Sequence, residues 1–102
     1  MTKITHALDN LFINAETIIN SLGDEFNSQE FLRLIIHDQQ HAYIDLLNAC
    51  YHLTIPFDQA HQKIGRRLSS ISNELGYEKL KVKVNDTNIF RNSTQSTVYR
   101  KI

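Results

Sequence analysis

Residues 56–84 read PFDQAHQKIGRRLSSISNELGYEKLKVKV, and the period of the apolar residues changes inside this stretch. Phe57, Ala60, Ile64, Leu68, Ile71 and Leu75 are spaced 3, 4, 4, 3 and 4 apart, the spacing of one helix face. From Lys79 the pattern becomes Lys79-Leu80-Lys81-Val82-Lys83-Val84, apolar at every second residue, as on a strand with one buried face. The change falls at Gly76, the kind of residue that ends helices by adopting a left-handed backbone. A helix is therefore expected over 56–75, with Pro56 in its first turn, and a half-buried strand over 79–84. Asn85-Asp86 is expected to turn, and Thr87–Arg91 to return as the second strand. Residues 92–102 fit a last helix capped by Asn92 or Ser93, or a further strand from Thr97 to Ile102.

The apolar stripe of the 56–75 helix covers only about 80° of a helical wheel. Most of that helix therefore meets solvent or a partner. Gly65 inside it costs roughly 1 kcal/mol against alanine and suggests a close helix crossing, a kink or a turn between two shorter helices.

Upstream, Ile4, Leu8, Leu11, Ala15, Ile18 and Leu22 step by 4, 3, 4, 3 and 4, a seam of period 3.5 that predicts a first helix over 4–22. Ala7, Phe12 and Ile19 widen the stripe, and Gly23 stands where a glycine would close the helix. The seam is expected to pack within the chain or, as the rival arrangement, against a second copy in a homodimer. A second helix is expected from Asn27 or Ser28 to about Leu53. Asn27 and Glu30 have the spacing of a capping box, and Pro56 disfavours helix at Ile55. Its apolar residues, from Phe31 through Cys50 to Leu53, span an arc of about 160°, so this is the central helix. Gln39 falls inside that arc and is expected to be buried and to need hydrogen-bond partners.

The chain has 102 residues, 41% of them hydrophobic and 22% charged, which fits one globular domain rather than a disordered tail. Its single cysteine, Cys50, excludes an internal disulfide and sits on the apolar arc as a small core residue. No run of apolar residues is long enough to span a membrane, and Met1–His6 lacks the apolar core of an export signal. The expected location is the cytoplasm.

The formal net charge is zero, yet the two halves differ sharply. Residues 1–58 hold two bases and eight acids, a formal −6; residues 59–102 hold nine bases and three acids, a formal +6. Such asymmetry points towards a polyanion partner, or towards attraction between the halves within the fold. His37 and His41, four apart on the second helix, lack the glutamate and the third ligand of a zinc-protease motif. With Glu30, Asp45 and His52 they read as a solvated face, and no metal or other cofactor is expected. Three isolated glycines cannot build a phosphate cradle, so no catalytic site is expected either.

The basic half carries the functional expectation. Gln62, Lys63, Arg66, Arg67, Ser69, Ser70 and Asn73 crowd the polar face of the third helix. Arginine, glutamine and asparagine can read base edges, while lysine and serine reach phosphates. Lys79, Lys81 and Lys83 follow on one face of the strand, and Arg91, Arg100 and Lys101 extend the patch. Tyr77 and Tyr99 are expected nearby as stacking or phosphate-contacting groups. Arg66 points away from the apolar stripe, whereas Arg67 lies at its edge, where its stem can cover the core.

The whole reads as an α+β fold, mainly helical: three helices followed by a small C-terminal β-hairpin. Helices followed by a basic hairpin resemble, at the level of architecture, a winged helix-turn-helix. That resemblance implies a small regulatory protein that binds nucleic acid, DNA more than RNA. The alternative is a protein–protein adaptor or inhibitor in which the bipolar charge steers the partner.

Overall fold

The computed structural model describes residues 3–88 and 90–102. Their order is α1 (Lys3–Leu11), α2 (Ala15–Leu22), β1 (Glu25–Asn27), α3 (Ser28–Asp38), α4 (Gln40–Ala49), α5 (Pro56–Glu74), β2 (Tyr77–Thr87) and β3 (Ser93–Lys101). The class is α+β, as the change of period implies, but the described residues form five helices rather than three. None of the described helices is long and apolar enough to cross a membrane. Met1 and Thr2, part of the leader reading, and Ile89, part of the expected return strand, lie outside the described residues.

Both long helices of the expectation are broken, and in each case the break preserves the burial pattern. Between α1 and α2, Phe12–Asn14 form a turn, and Phe12 is buried with its ring 5.7 Å from that of Phe31. The seam survives: Leu8, Leu11, Ala15 and Ile18 are buried on both sides of the turn. α1 lies on α4 and α2 on α3, so the seam is covered within the chain.

α3 and α4 are separated by the single non-helical residue Gln39, at φ −124° and ψ 56°. Its N–H still donates to Ile35 O at 2.9 Å, and its carbonyl accepts from Tyr43 N at 2.9 Å. The bonding ladder continues while the axis changes, and Phe31, Ile35, Tyr43, Leu46 and Cys50 all stay buried. Gln39 itself is only half-buried, against expectation, and its amide reaches the neighbouring Asp38 carboxylate at 3.4 Å. α4 ends at Ala49, four residues before the expected Leu53.

The capping box at Asn27 is present in full. Asn27 Oδ1 accepts from the backbone of Gln29 and Glu30 at 3.0 Å each, and Glu30 Oε1 accepts from Asn27 N at 2.8 Å. β3 reinforces this helix start: Ser96 Oγ, buried, accepts from Gln29 N at 3.1 Å and donates to Asn27 Oδ1 at 3.1 Å.

The third expected helix is correct. α5 is continuous over Pro56–Glu74, with Ala60, Ile64 and Leu68 in the core. Gly76 takes the left-handed backbone at φ 88°, as does Gly23 after α2. Gly65, however, marks no kink, turn or close crossing, since a Cβ built there meets nothing within 4 Å. Gly65→Ala is therefore expected to stabilise the protein by about 1 kcal/mol, through helix propensity and the loss of unfolded-state freedom. Urea denaturation checks it; a lower midpoint would show that the space is needed.

The sheet departs most from expectation. β2 runs through Asn85-Asp86 without turning, the turn falls after Thr87, and β3 is the return strand, so residues 93–101 are strand and not helix. Asn88 organises the turn: its Oδ1 accepts from Phe90 N at 2.9 Å and Asn92 N at 3.0 Å, while Arg91 sits at φ 65°. The unforeseen β1 pairs with β3, giving an antiparallel sheet of order β1-β3-β2. Nor is β2 half-buried: Val82 is 74% and Val84 41% exposed. Phe26 on β1 meets Tyr99 (5.3 Å) and Tyr77 (5.4 Å), and this aromatic cluster joins sheet to helices.

Candidate nucleic-acid interface

α5 positions the candidate residues through the same periodicity that buries its apolar stripe. Gln62, Arg66, Ser70 and Asn73 are exposed and form its outer ridge. On one flank α5 faces α1. There Lys63, Arg66, Arg67 and Ser70 line a groove of about 440 Å³ with Ile4, Thr5 and Leu8. On the other flank it runs beside β2.

The sheet register fixes the lysines. Lys79 stands opposite Tyr99 and Lys83 opposite Thr97, with β2 carrying two extra residues between these pairs. An excess of two keeps the side-chain alternation, so Lys79 and Lys83 share the sheet face that carries Tyr99. The Tyr99 hydroxyl and Ser69 Oγ on α5 are 2.7 Å apart, so this is the face turned to α5. Lys81 lies in the bulge and is exposed, as are Lys79 and Lys83.

The remaining expected residues are placed elsewhere or are engaged within the fold. Arg67 donates to Asp9 Oδ1 at 2.9 Å, with its guanidinium 5.8 Å from the Phe12 ring centroid. This is the core-covering role that its place at the stripe edge implied. Arg100 donates to Glu25 Oε1 at 2.9 Å across the β1–β3 pair. Lys101 Nζ lies 5.7 Å from the Tyr77 ring centroid. Ser69 is taken by Tyr99, and Arg91 is exposed in the hairpin turn. Tyr77 and Tyr99 are 3% exposed and cannot stack on a ligand, which corrects their expected role. Burial pushes the Tyr99 hydroxyl pKa up, an effect that the bond to Ser69 opposes.

Among the described residues, Lys63, Arg66, Lys79, Lys81 and Lys83 have no carboxylate within 4 Å, in contrast to Arg33, Arg67 and Arg100. Arg33 belongs to the acidic half yet reaches the hairpin. It donates to both Asp86 oxygens at 3.3 and 3.2 Å and to Thr87 O at 2.9 Å. That bond from Arg33, with help from the Thr87 backbone, holds the Asp86 carboxyl below its usual range.

His37 and His41 lie on different helices, α3 and α4, across the Gln39 break. No group of three metal-ligating side chains occurs among the described residues.

An aromatic string lies at the N-terminal end of α5. Phe90 in the hairpin turn, 62% exposed, has its ring centroid 4.9 Å from that of Phe57, which is 4.0 Å from His61. His61 Nε2 is 2.6 Å from the Tyr43 hydroxyl. Burial lowers the His61 pKa, with Asp58 opposing, and burial pushes the Tyr43 hydroxyl up to about 12. A depressed histidine pKa means that the unfolded chain binds the proton more readily. Stability from this ring is present above about pH 6.5 and is lost as pH falls below that value towards the folded pKa. The urea midpoint should therefore drop between about pH 7.5 and 5, and His61→Gln should flatten that drop. An unchanged slope in the variant would assign the pH dependence to other groups.

No protein-family model matches the chain, and no curated protein or solved structure does so either.

Proposed function

We propose that the protein is a small regulatory nucleic-acid-binding protein whose contacts are made by the outer ridge of α5 and the lysines of β2. The observation that carries this reading is that Lys63 and Arg66 on α5 and Lys79, Lys81 and Lys83 on β2, an element in contact with α5, have no carboxylate within 4 Å among the described residues. Unpaired cations are free to neutralise phosphates, while Arg66, Gln62 and Asn73 on the ridge have the chemistry to meet base edges. After α1 and α2, the order of elements supports the winged-helix likeness: a strand, helices ending in a long one with an exposed ridge, then a hairpin whose last strand pairs with the first. Three helices between β1 and β2 are one more than the helix-turn-helix pair alone requires. The adaptor reading is favoured by one observation, the exposed Val82 and Phe90 on the hairpin.

Fluorescence anisotropy with labelled duplex and single strands tests the reading. Micromolar binding at low salt is expected, with a log–log salt slope of about −4 to −5 on duplex. Binding weaker than about 100 μM at low salt would overturn it and put the adaptor first, because nonspecific attraction alone reaches that range.

A further inference from the structure

The groove between α1 and α5 has a composition that a nucleic-acid backbone does not call for. Buried Leu8 and half-buried Ile4 give it an apolar floor, and Lys63, Arg66 and Arg67 give it a cationic rim, with the exposed Thr5 and Ser70 completing the lining. Arg67 is a fixed wall, tied to Asp9 and resting over Phe12. Lys63 and Arg66 have no carboxylate within 4 Å among the described residues, so their charge is available to a guest. A phosphodiester would use the rim and leave the floor wet; an uncharged apolar molecule would use the floor and leave the cations idle. Only a molecule with both parts satisfies the whole surface. The volume of about 440 Å³ falls in the range of small-molecule sites.

We propose that this groove binds a small amphipathic anion, a carboxylate or phosphate head on a short apolar tail, taken up as a free molecule. The head lies between Lys63 and Arg66 within reach of Ser70, and the tail lies along Ile4 and Leu8. The inference has its own basis in the apolar floor, but it shares Lys63 and Arg66 with the proposed nucleic-acid interface. Occupancy therefore weakens nucleic-acid binding, as expected of an effector site.

Octanoate is the probe, with octanol and acetate as the tail-only and head-only controls, followed by methyl and amide NMR without nucleic acid. Octanoate is expected to shift the resonances of Ile4, Leu8 and Ser70 and to bind at least about tenfold more tightly than either control. Lys63→Gln with Arg66→Gln should remove that advantage and leave the weak octanol response unchanged. Ile4→Ser should bring octanoate down to the level of acetate. Equal affinity for octanoate and acetate, shifts centred away from the groove, or binding to anionic lipid vesicles alone would each overturn the proposal. Because the readout is direct, octanoate binding without nucleic-acid binding would uphold the groove and sink only the interface.

Discussion

Phe26→Ala should cost about 3–5 kcal/mol, the usual range for deleting a buried phenylalanine. Phe26 is 2% exposed, and its ring meets both Tyr77 and Tyr99. These two tyrosines bond onward, Tyr77 to Gly23 O and Tyr99 to Ser69, each at 2.7 Å. Removing Phe26 thus leaves a cavity where β1, β2 and β3 converge, and it loosens two hydroxyls that anchor the sheet to α5 and to the turn after α2. For a domain of this size the loss corresponds to a fall in Tm of roughly 15–30 °C. Since small domains hold only about 5–15 kcal/mol in all, the variant should be largely unfolded at 37 °C. Calorimetry measures it. A fall of a few degrees would show that the sheet is held by its hairpin alone.

The second large effect concerns salt. With five phosphate contacts the slope is about −4.5, so affinity for duplex falls roughly 500-fold between 50 and 200 mM salt. Replacing Lys79, Lys81 and Lys83 by alanine leaves Lys63 and Arg66, a slope of about −1.8, and a fall of only about 12-fold over the same interval. The loss should be similar for all sequences, since these lysines position rather than read. Arg66→Ala should lower the slope by about one and also relax sequence preference. Arg67→Ala should leave the slope unchanged and reduce stability, because its partners are Asp9 and Phe12. A triple-alanine variant with the slope of the parent would exclude the hairpin from the interface.

What the chain reveals in its own order follows from the range of each interaction. α5, the glycines that close helices and the Asn27 cap rest on residues within four positions of one another, and their spacing predicts them. β1 is three residues long and has no period to read; its reason for being a strand is β3, far along the chain. The breaks at Phe12–Asn14 and Gln39 leave the apolar spacing intact, so no change of period announces them. The site divides in the same way. Arg66 is exposed because of its place on the α5 wheel. Ser69, Arg67 and Arg100 are engaged by Tyr99, Asp9 and Glu25, which lie 30, 58 and 75 positions away. The apolar floor that α1 contributes to the groove is equally remote from α5 in the chain.

The central place of β3 has a kinetic consequence. Its hairpin with β2 closes across six positions, Thr87 to Ser93, whereas its other edge must capture β1 across the 75 positions between Glu25 and Arg100. Loop-closure entropy makes the second event about 2 kcal/mol harder to initiate. Folding should therefore run in two stages, with the hairpin formed first and β1 zipped on after the helices between them have collapsed. Until that capture, β3 presents an open backbone edge, which makes this interval the one in which the chain is most exposed to mispairing with its neighbours.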